Sequence, residues 1–150
     1  MSLFDVPRGA LIVHAVNAKG VWGSGIAKDF KERYPHAYNQ YNSFCTHGYN
    51  KLGMAAISMR HHSEPHQVGW LVTSDNYGGE VDDVERILIN TTLAVNDLCL
   101  TSDTDVIYSN KFNSGLFNVP WERTELVLKE VLRQHPNIDW IVCDNTLDKK

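Results

Sequence analysis

His14 is the histidine whose position in the sequence is best suited to chemistry. It lies in an apolar run, stands three residues before Asn17, and is followed by a loop of small residues. An imidazole takes or gives a proton near neutral pH, and it can also attack phosphorus as a nucleophile. The sequence therefore makes His14 the leading catalytic candidate. The structural alternative is a buried histidine whose ring is bonded to backbone.

Two distant segments, residues 13–27 and residues 112–121, share one pattern. Each is an apolar run that leads into a loop of small residues and then into a predicted helix. Glycine lets backbone N–H groups approach a ligand closely, and a helix N-terminus adds a favourable dipole. Two such loops could hold one diphosphate from both sides.

Three charged residues near these loops could take part in the same chemistry. Asp75 follows another apolar run and is a candidate general base on the expected ligand rim. Lys19 and Lys28 are the cations nearest the first loop, although lysines are usually solvated on the surface. An acidic group typical of a helix N-terminus follows Asp75 and consists of Glu80, Asp82 and Asp83.

Other ligand-binding motifs fit poorly. Gly20, Gly23 and Gly25 are spaced G-x-x-G-x-G instead of G-x-G-x-x-G, and the Walker lysine is absent, which disfavours both common nucleotide folds. The stretch His61-His62-Ser63-Glu64-Pro65-His66 contains metal-ligand residue types, but adjacent histidines on an extended chain point apart. We therefore predict no metal site and no cofactor.

Composition indicates a single intracellular domain. The chain has 150 residues, 43% of them apolar, and a net charge of −4 without a block of Lys or Arg, which disfavours a stable nucleic-acid partner. No apolar run is long enough for a membrane span. Cys45, Cys99 and Cys143 are odd in number and widely spaced, which favours reduced thiols and a cytoplasmic location.

Periodicity predicts the elements that position these residues. Apolar runs predict strands at 10–15, 53–59, 68–73, 105–108 and 138–143. Helical spacing and proline positions predict helices at 26–34, 37–44, 84–100 and 120–134. Strands that alternate with helices indicate one α/β domain over residues 1–150, a three-layer α/β/α sandwich.

The order of the motifs resembles the macrodomain family, whose members bind ADP-ribose. Those proteins carry an N-A-A-N stretch, a G-G-G-V-A-like loop and, near the C-terminus, an S-A-G-I-F-G-like loop. Here His14-Ala15-Val16-Asn17, Gly23-Ser24-Gly25-Ile26-Ala27 and Ser114-Gly115-Leu116-Phe117-Asn118 stand in their places. The resemblance covers nearly the whole chain and implies a mixed central sheet.

The resemblance also implies which residues touch the ligand. Asn17 would hold the distal ribose, with a loop-stabilising Asx turn as its alternative. Phe117 would pack against ribose, and Asn118 replaces a glycine and tolerates a positive φ. The residues implied to bind ADP-ribose are Gly23, Ser24, Gly25, Ile26, Ala27, Ser74, Asn113, Ser114, Gly115, Leu116, Phe117 and Asn118.

Within the family, the chain is most similar to the ADP-ribose 1″-phosphate phosphatases. The shared features are the histidine before Asn17, the Trp-Gly-x-Gly-Ile-Ala loop, the N-S-G-[IL]-F-x-V-P-W segment, and Thr73-Ser74 followed by Gly78-Gly79. This likeness implies metal-free removal of the 1″-phosphate, with His14, Asn17 and Asp75 as catalytic residues. Some phage proteins are similar too, and for a phage protein the expected location is the host cytoplasm.

Two departures from the family pattern qualify these expectations. The related terminal ADP-ribose protein glycohydrolases depend on a lysine and an aspartate, where this chain has Ser74 or Asp75 and Phe117. The family's adenine-reading aspartate aligns with Ser2, so the first strand is expected to be missing, with weaker adenine selectivity unless Asp5 substitutes. The alternative functions are an ADP-ribosyl hydrolase acting on modified protein or nucleic acid, and a non-catalytic ADP-ribose reader.

Overall fold

The computed structural model describes residues 1–23, 25–76, 82–115 and 117–143. The strands are β1 (Leu11–Asn17), β2 (Ala55–Ile57), β3 (Gln67–Ser74), β4 (Val106–Ser109) and β5 (Asp139–Val142). The helices are α1 (Gly25–Arg33), α2 (Pro35–Thr46), α3 (Val84–Thr101) and α4 (Trp121–Leu132), and a 3₁₀ turn spans Leu3–Asp5. Within the described residues, no helix is both long and apolar enough to cross a membrane.

The strands form one five-stranded sheet in the order β2-β3-β1-β4-β5. β1 is central and parallel to both neighbours, with Leu11 opposite Gln67 on one side and Ile107 on the other. β5 is parallel to β4, whereas β2 runs antiparallel to β3 at the edge. The mixed sheet implied by the family resemblance is therefore confirmed.

Alternation along β1 divides the core into two layers. Ile12 and Val16 face α1 and α2, where they pack with side chains such as Phe30. Leu11 and Val13 point to the opposite face and pack against α3 and α4. Because both faces of β1 are covered, its side chains are almost all buried, as its unbroken apolar sequence predicts. The three-layer α/β/α sandwich is confirmed.

The N-terminal segment departs from regular strand structure. Ser2 caps the 3₁₀ turn by accepting a hydrogen bond from the Phe4 amide at 3.2 Å, and Leu3 and Val6 are buried in the α1/α2 layer. Within residues 1–23, no strand precedes Leu11. Asp5 lies in the 3₁₀ turn with an exposed side chain.

Gly69 lies where β3, β1 and α3 pack closely together. A Cβ at this position would lie 3.0 Å from Val13 Cγ2 and 3.4 Å from Leu98 Cδ1. We expect Gly69→Ala to lower the free energy of unfolding by about 1–3 kcal/mol. The strain of overpacking the core outweighs the benefit of reducing the conformational entropy of the unfolded chain. Urea unfolding measures the change.

Gly115→Ala is the matched control for this substitution. Apart from its chain neighbours, no heavy atom of the described residues lies within 4 Å of a Cβ built on Gly115. We expect its stability to stay within about 0.5 kcal/mol of the wild type. Equal unfolding midpoints for the two variants would contradict the packing argument.

Candidate functional site

Three loops meet at the carboxyl edge of the sheet. They follow the parallel strands β1, β3 and β4, which are adjacent because β1 lies between the other two. The chain passes from β1 through α1 and α2 to β2 and β3 on one side, and then through α3 to β4 on the other side of β1. Open α/β sheets bind ligands at such a switch point. The space between these loops is called the carboxyl-edge cleft below.

Asn17 organises the first of these loops. Its Oδ1 accepts hydrogen bonds from the Lys19 amide at 2.9 Å, the Val21 amide at 3.4 Å and the Tyr41 hydroxyl at 3.1 Å. Its Nδ2 donates to the Val21 carbonyl at 2.7 Å, and the residue is only 5% exposed. The structure thus shows the loop-stabilising alternative, and contact with a ribose stays a prediction.

The loops after β1 and β3 are linked directly to each other. The Ala18 amide donates to the Ser74 carbonyl at 3.0 Å. Lys19 Nζ lies 3.7 Å from Asp75 Oδ1, and both side chains are about half exposed. This ion pair places a carboxylate and an ammonium group at the rim of the carboxyl-edge cleft, and a catalytic role for Asp75 stays a prediction.

Asp82 has a different role from the helix-terminus role expected of it. Its carboxylate accepts hydrogen bonds from the Asp75 amide at 2.9 Å and from Asn76 Nδ2 at 3.2 Å. The N-cap of α3 is Asp83, which accepts from the Glu85 amide at 2.9 Å. Asp82 therefore holds the loop that carries Asp75. Glu80 lies outside the described residues, as do Gly78 and Gly79.

Asn113 anchors the loop after β4. Its backbone has a φ of 66°, and its side chain accepts from the Thr73 hydroxyl and donates to Thr91 Oγ1, both at 2.9 Å. It is 4% exposed, and its carbonyl accepts from the Val119 amide. Asn113 is therefore a structural link between this loop, β3 and α3. The sequence analysis named Thr73 only as part of a family motif and did not identify Thr91, because a lone threonine in a helix carries no motif.

The remaining predicted ligand residues differ in exposure. Five of them are exposed: Gly23, Gly25, Ser114, Gly115 and Asn118. Ser74 is fully buried, and its hydroxyl donates to the Asn76 carbonyl at 2.7 Å. Ile26 and Ala27 are partly buried against the α1/α2 core, and Phe117 packs on the cluster at the start of α3. Asn118 has a φ of 59°, which its predicted tolerance of positive φ allows. Ser24 and Leu116 lie outside the described residues.

His14 lies inside the α1/α2 layer of the core, outside the carboxyl-edge cleft. It is completely buried, stacked on the Phe30 ring at 4.0 Å between centroids and edge-on to Trp22 at 4.5 Å. Burial lowers its pKa from 6.5 to about 3, so the ring is neutral. Among the described residues, neither ring nitrogen has a hydrogen-bond partner. The structure does not bring His14 together with Asp75, and a catalytic role for it stays a prediction that requires Trp22 or Phe30 to move.

The histidine-rich stretch lies at the opposite, amino edge of the sheet. His61 stacks between His36 and His62, with centroids 3.5 and 4.5 Å apart. The Glu64 carboxylate accepts from the amides of His36 and Ala37 at the start of α2. No group of three or more His, Cys, Asp or Glu side chains in the described residues could hold a metal ion.

Comparisons with known proteins agree with this architecture. A family model described as Macro domain matches residues 13–128. A protein of Aspergillus oryzae named ADP-ribose 1″-phosphate phosphatase is 34% identical, over 85% of this chain and 85% of that protein. Relatives from other fungi, 29–34% identical, carry the same name.

Solved structures give the same fold at lower identity. The macrodomain of Mycobacterium tuberculosis DarG has a TM-score of 0.79 and 21% identity, over 95% of this chain and 92% of that chain. Thermosipho africanus DarTG in complex with ADP-ribose has a TM-score of 0.73 and 15% identity, over 95% of this chain and 39% of that chain. At these identities the likeness bears on the fold alone.

The buried, neutral state of His14 predicts a pH dependence of stability. The unfolded chain binds a proton at His14 below about pH 6.5 that the folded chain does not bind until about pH 3. The contribution of His14 to the free energy of unfolding is constant above pH 6.5. As the pH is lowered from 6.5 to 3, this contribution decreases, by at most about 1.4 kcal/mol per pH unit. We expect His14→Leu to remove this slope in urea unfolding between pH 6 and pH 4.

His62→Leu is the control, because the His62 ring is exposed. It should retain the wild-type slope. Parallel stability curves for the wild type and His14→Leu would show that His14 is not held neutral in the fold.

The hydrogen bonds and positive φ of Asn113 predict that two substitutions lower the free energy of unfolding by different amounts. Asn113→Ala removes both buried hydrogen bonds and places an ordinary side chain at a positive φ, so we expect a loss of about 2–4 kcal/mol of unfolding free energy. Asn113→Gly removes the same hydrogen bonds but accepts the φ, so it should be more stable than Asn113→Ala by about 1 kcal/mol. Equal free energies of unfolding for Asn113→Ala and Asn113→Gly would contradict a contribution from the positive φ at this position.

Proposed function

The chain belongs to the macro domain family, as its loops predict, and we propose that it binds ADP-ribose in the carboxyl-edge cleft and hydrolyses ADP-ribose 1″-phosphate to ADP-ribose and phosphate. The observation that carries the proposal is the likeness to fungal proteins named for this activity. That likeness spans 85% of both the Aspergillus oryzae protein and this chain, and the family model matches residues 13–128, which include all three loops of the cleft.

The open backbone of two loops supports diphosphate binding. Gly25 begins α1 with a φ of +61°, and neither it nor Gly115 has a heavy atom of the described residues, beyond its chain neighbours, within 4 Å of a built Cβ. Exposed amides at a helix N-terminus are suited to phosphate oxygens. We assign the diphosphate to Gly23 and Gly25 on one side and to Ser114 and Gly115 on the other.

Of the two acid–base candidates, His14 and Asp75, Asp75 is the one whose side chain is accessible to water in this conformation. Its side chain is about half exposed at the rim, whereas His14 is enclosed by aromatic rings and has a pKa of about 3. A carboxylate can accept a hydrogen bond from the attacking water and orient it in line with the phosphorus–oxygen bond that breaks. His14 would contribute directly only after displacement of Trp22 or Phe30.

The proposal is tested by incubating the protein with ADP-ribose 1″-phosphate in EDTA and measuring released inorganic phosphate. We expect turnover that EDTA does not abolish. Asp75→Asn should lower kcat by about 10²- to 10⁴-fold, because it removes the group that orients water. ADP-ribose affinity, measured by calorimetry, should change less than about threefold.

The same assay separates the alternatives. ADP-ribose binding without phosphate release would overturn the phosphatase proposal. Release of ADP-ribose from modified protein or nucleic acid would then identify an ADP-ribosyl hydrolase, and no release would leave a reader.

A further inference from the structure

We propose that Lys19 is the cation that recognises the 1″-phosphate, and that Asp75 holds it at the rim until that phosphate arrives. This inference rests on the proposed function and identifies how the site distinguishes ADP-ribose 1″-phosphate from ADP-ribose. The observation behind it is the ion pair between Lys19 Nζ and Asp75 Oδ1, which joins the loops after β1 and β3 at 3.7 Å.

The backbone on both sides of this pair is fixed. The Lys19 amide donates to Asn17 Oδ1 at 2.9 Å, and the Ala18 amide beside it donates to the Ser74 carbonyl. The Asp75 amide donates to Asp82 Oδ2 at 2.9 Å. Each residue is therefore held at its backbone while its charged end remains about half exposed. An arrangement of this kind positions the two charges without immobilising the lysine ammonium group.

The pair is weak enough to be exchanged for a ligand. Half-exposed ion pairs contribute little to stability, since solvent screens them and the long lysine side chain loses freedom. The lysine ammonium has three N–H donors, and a phosphate monoester dianion offers more charge and more acceptor oxygens than one carboxylate. We therefore expect the Lys19 ammonium group to exchange its contact with Asp75 for a more favourable contact with the phosphate.

Lys19 also offsets the electrostatic repulsion between Asp75 and the phosphate at the rim. Asp75 alone would repel the phosphate that its water must attack, because both groups are anionic. A lysine between them offsets the charge on the phosphoryl oxygens while leaving the carboxylate free to orient water. The water oxygen then forms a bond to phosphorus and gives one proton to the Asp75 carboxylate, which later releases it to solvent. The bond from phosphorus to the sugar oxygen breaks, and that oxygen takes a proton from solvent. Once phosphate leaves, Lys19 returns to Asp75.

Two variants of Lys19 and one control test this role. Lys19→Met keeps much of the stem and loses the charge, whereas Lys19→Arg keeps the charge. Lys129→Met is the matched control, because Lys129 is also an exposed lysine in an ion pair, with Glu125 at 3.9 Å, but lies in the last turn of α4. Binding is measured by calorimetry with ADP-ribose and with a non-hydrolysable phosphonate in which a methylene replaces the bridging 1″-oxygen. Turnover is measured with ADP-ribose 1″-phosphate.

The wild type is expected to bind the phosphonate more tightly than ADP-ribose. Lys19→Met should weaken phosphonate binding by about tenfold and leave ADP-ribose binding within about threefold. The kcat/KM of Lys19→Met should fall on the order of 100-fold, whereas Lys19→Arg should retain most of the wild-type value and Lys129→Met all of it.

Equal phosphonate affinity for Lys19→Met and the wild type would overturn the role of Lys19, whether or not the protein is a phosphatase. Equal losses for both ligands would overturn it as well, since they would indicate a general effect on the cleft. A Lys19-dependent preference for the phosphonate without turnover would support phosphate recognition while the proposed hydrolysis fails.

Discussion

Pairing of β1 with β3 on one side and β4 on the other is the constraint on which the site depends. All three strands are parallel, so their carboxyl ends lie at one edge and their loops must face each other. The pairing is enforced by burial, because almost every side chain of β1 enters one of two covered layers. A slip of one residue would exchange those layers and move Asn17 away from its loop.

Two asparagines fix the loops that follow β1 and β4 to the sheet. Asn17 ends β1 and binds the backbone of its own loop, while Asn113 ties the loop after β4 to Thr73 and Thr91. Both side chains are almost fully buried. The ligand-facing part of the cleft is thereby left to backbone amides and a few exposed side chains. Backbone amides carry no charge that titrates, so diphosphate binding should vary little with pH in the neutral range.

The sequence predicted the layers and loops because both follow from local patterns. Continuous apolar runs marked the buried strands, and glycine-rich stretches marked the loops at the cleft. The sequence could not reveal how side chains meet across the fold. The burial of His14 depends on Trp22 and Phe30 closing around it, and the link from Asp82 to Asp75 depends on the path of a loop. His14 was also expected to have backbone partners if it was structural, yet neither ring nitrogen has one among the described residues.

The strand order has a further consequence for the way in which the chain acquires its structure during synthesis. Leu11 pairs with Gln67, but its other partner, Ile107, comes much later in the chain. A nascent chain can therefore join β1 to β3 and enclose the aromatic layer under α1 and α2 before β4 has been made. The opposite face of that partial sheet must wait for α3 and α4, and its apolar side chains are exposed to chaperones meanwhile. Since sheet pairing over such distances is slow, folding of the second layer is expected to limit the overall rate.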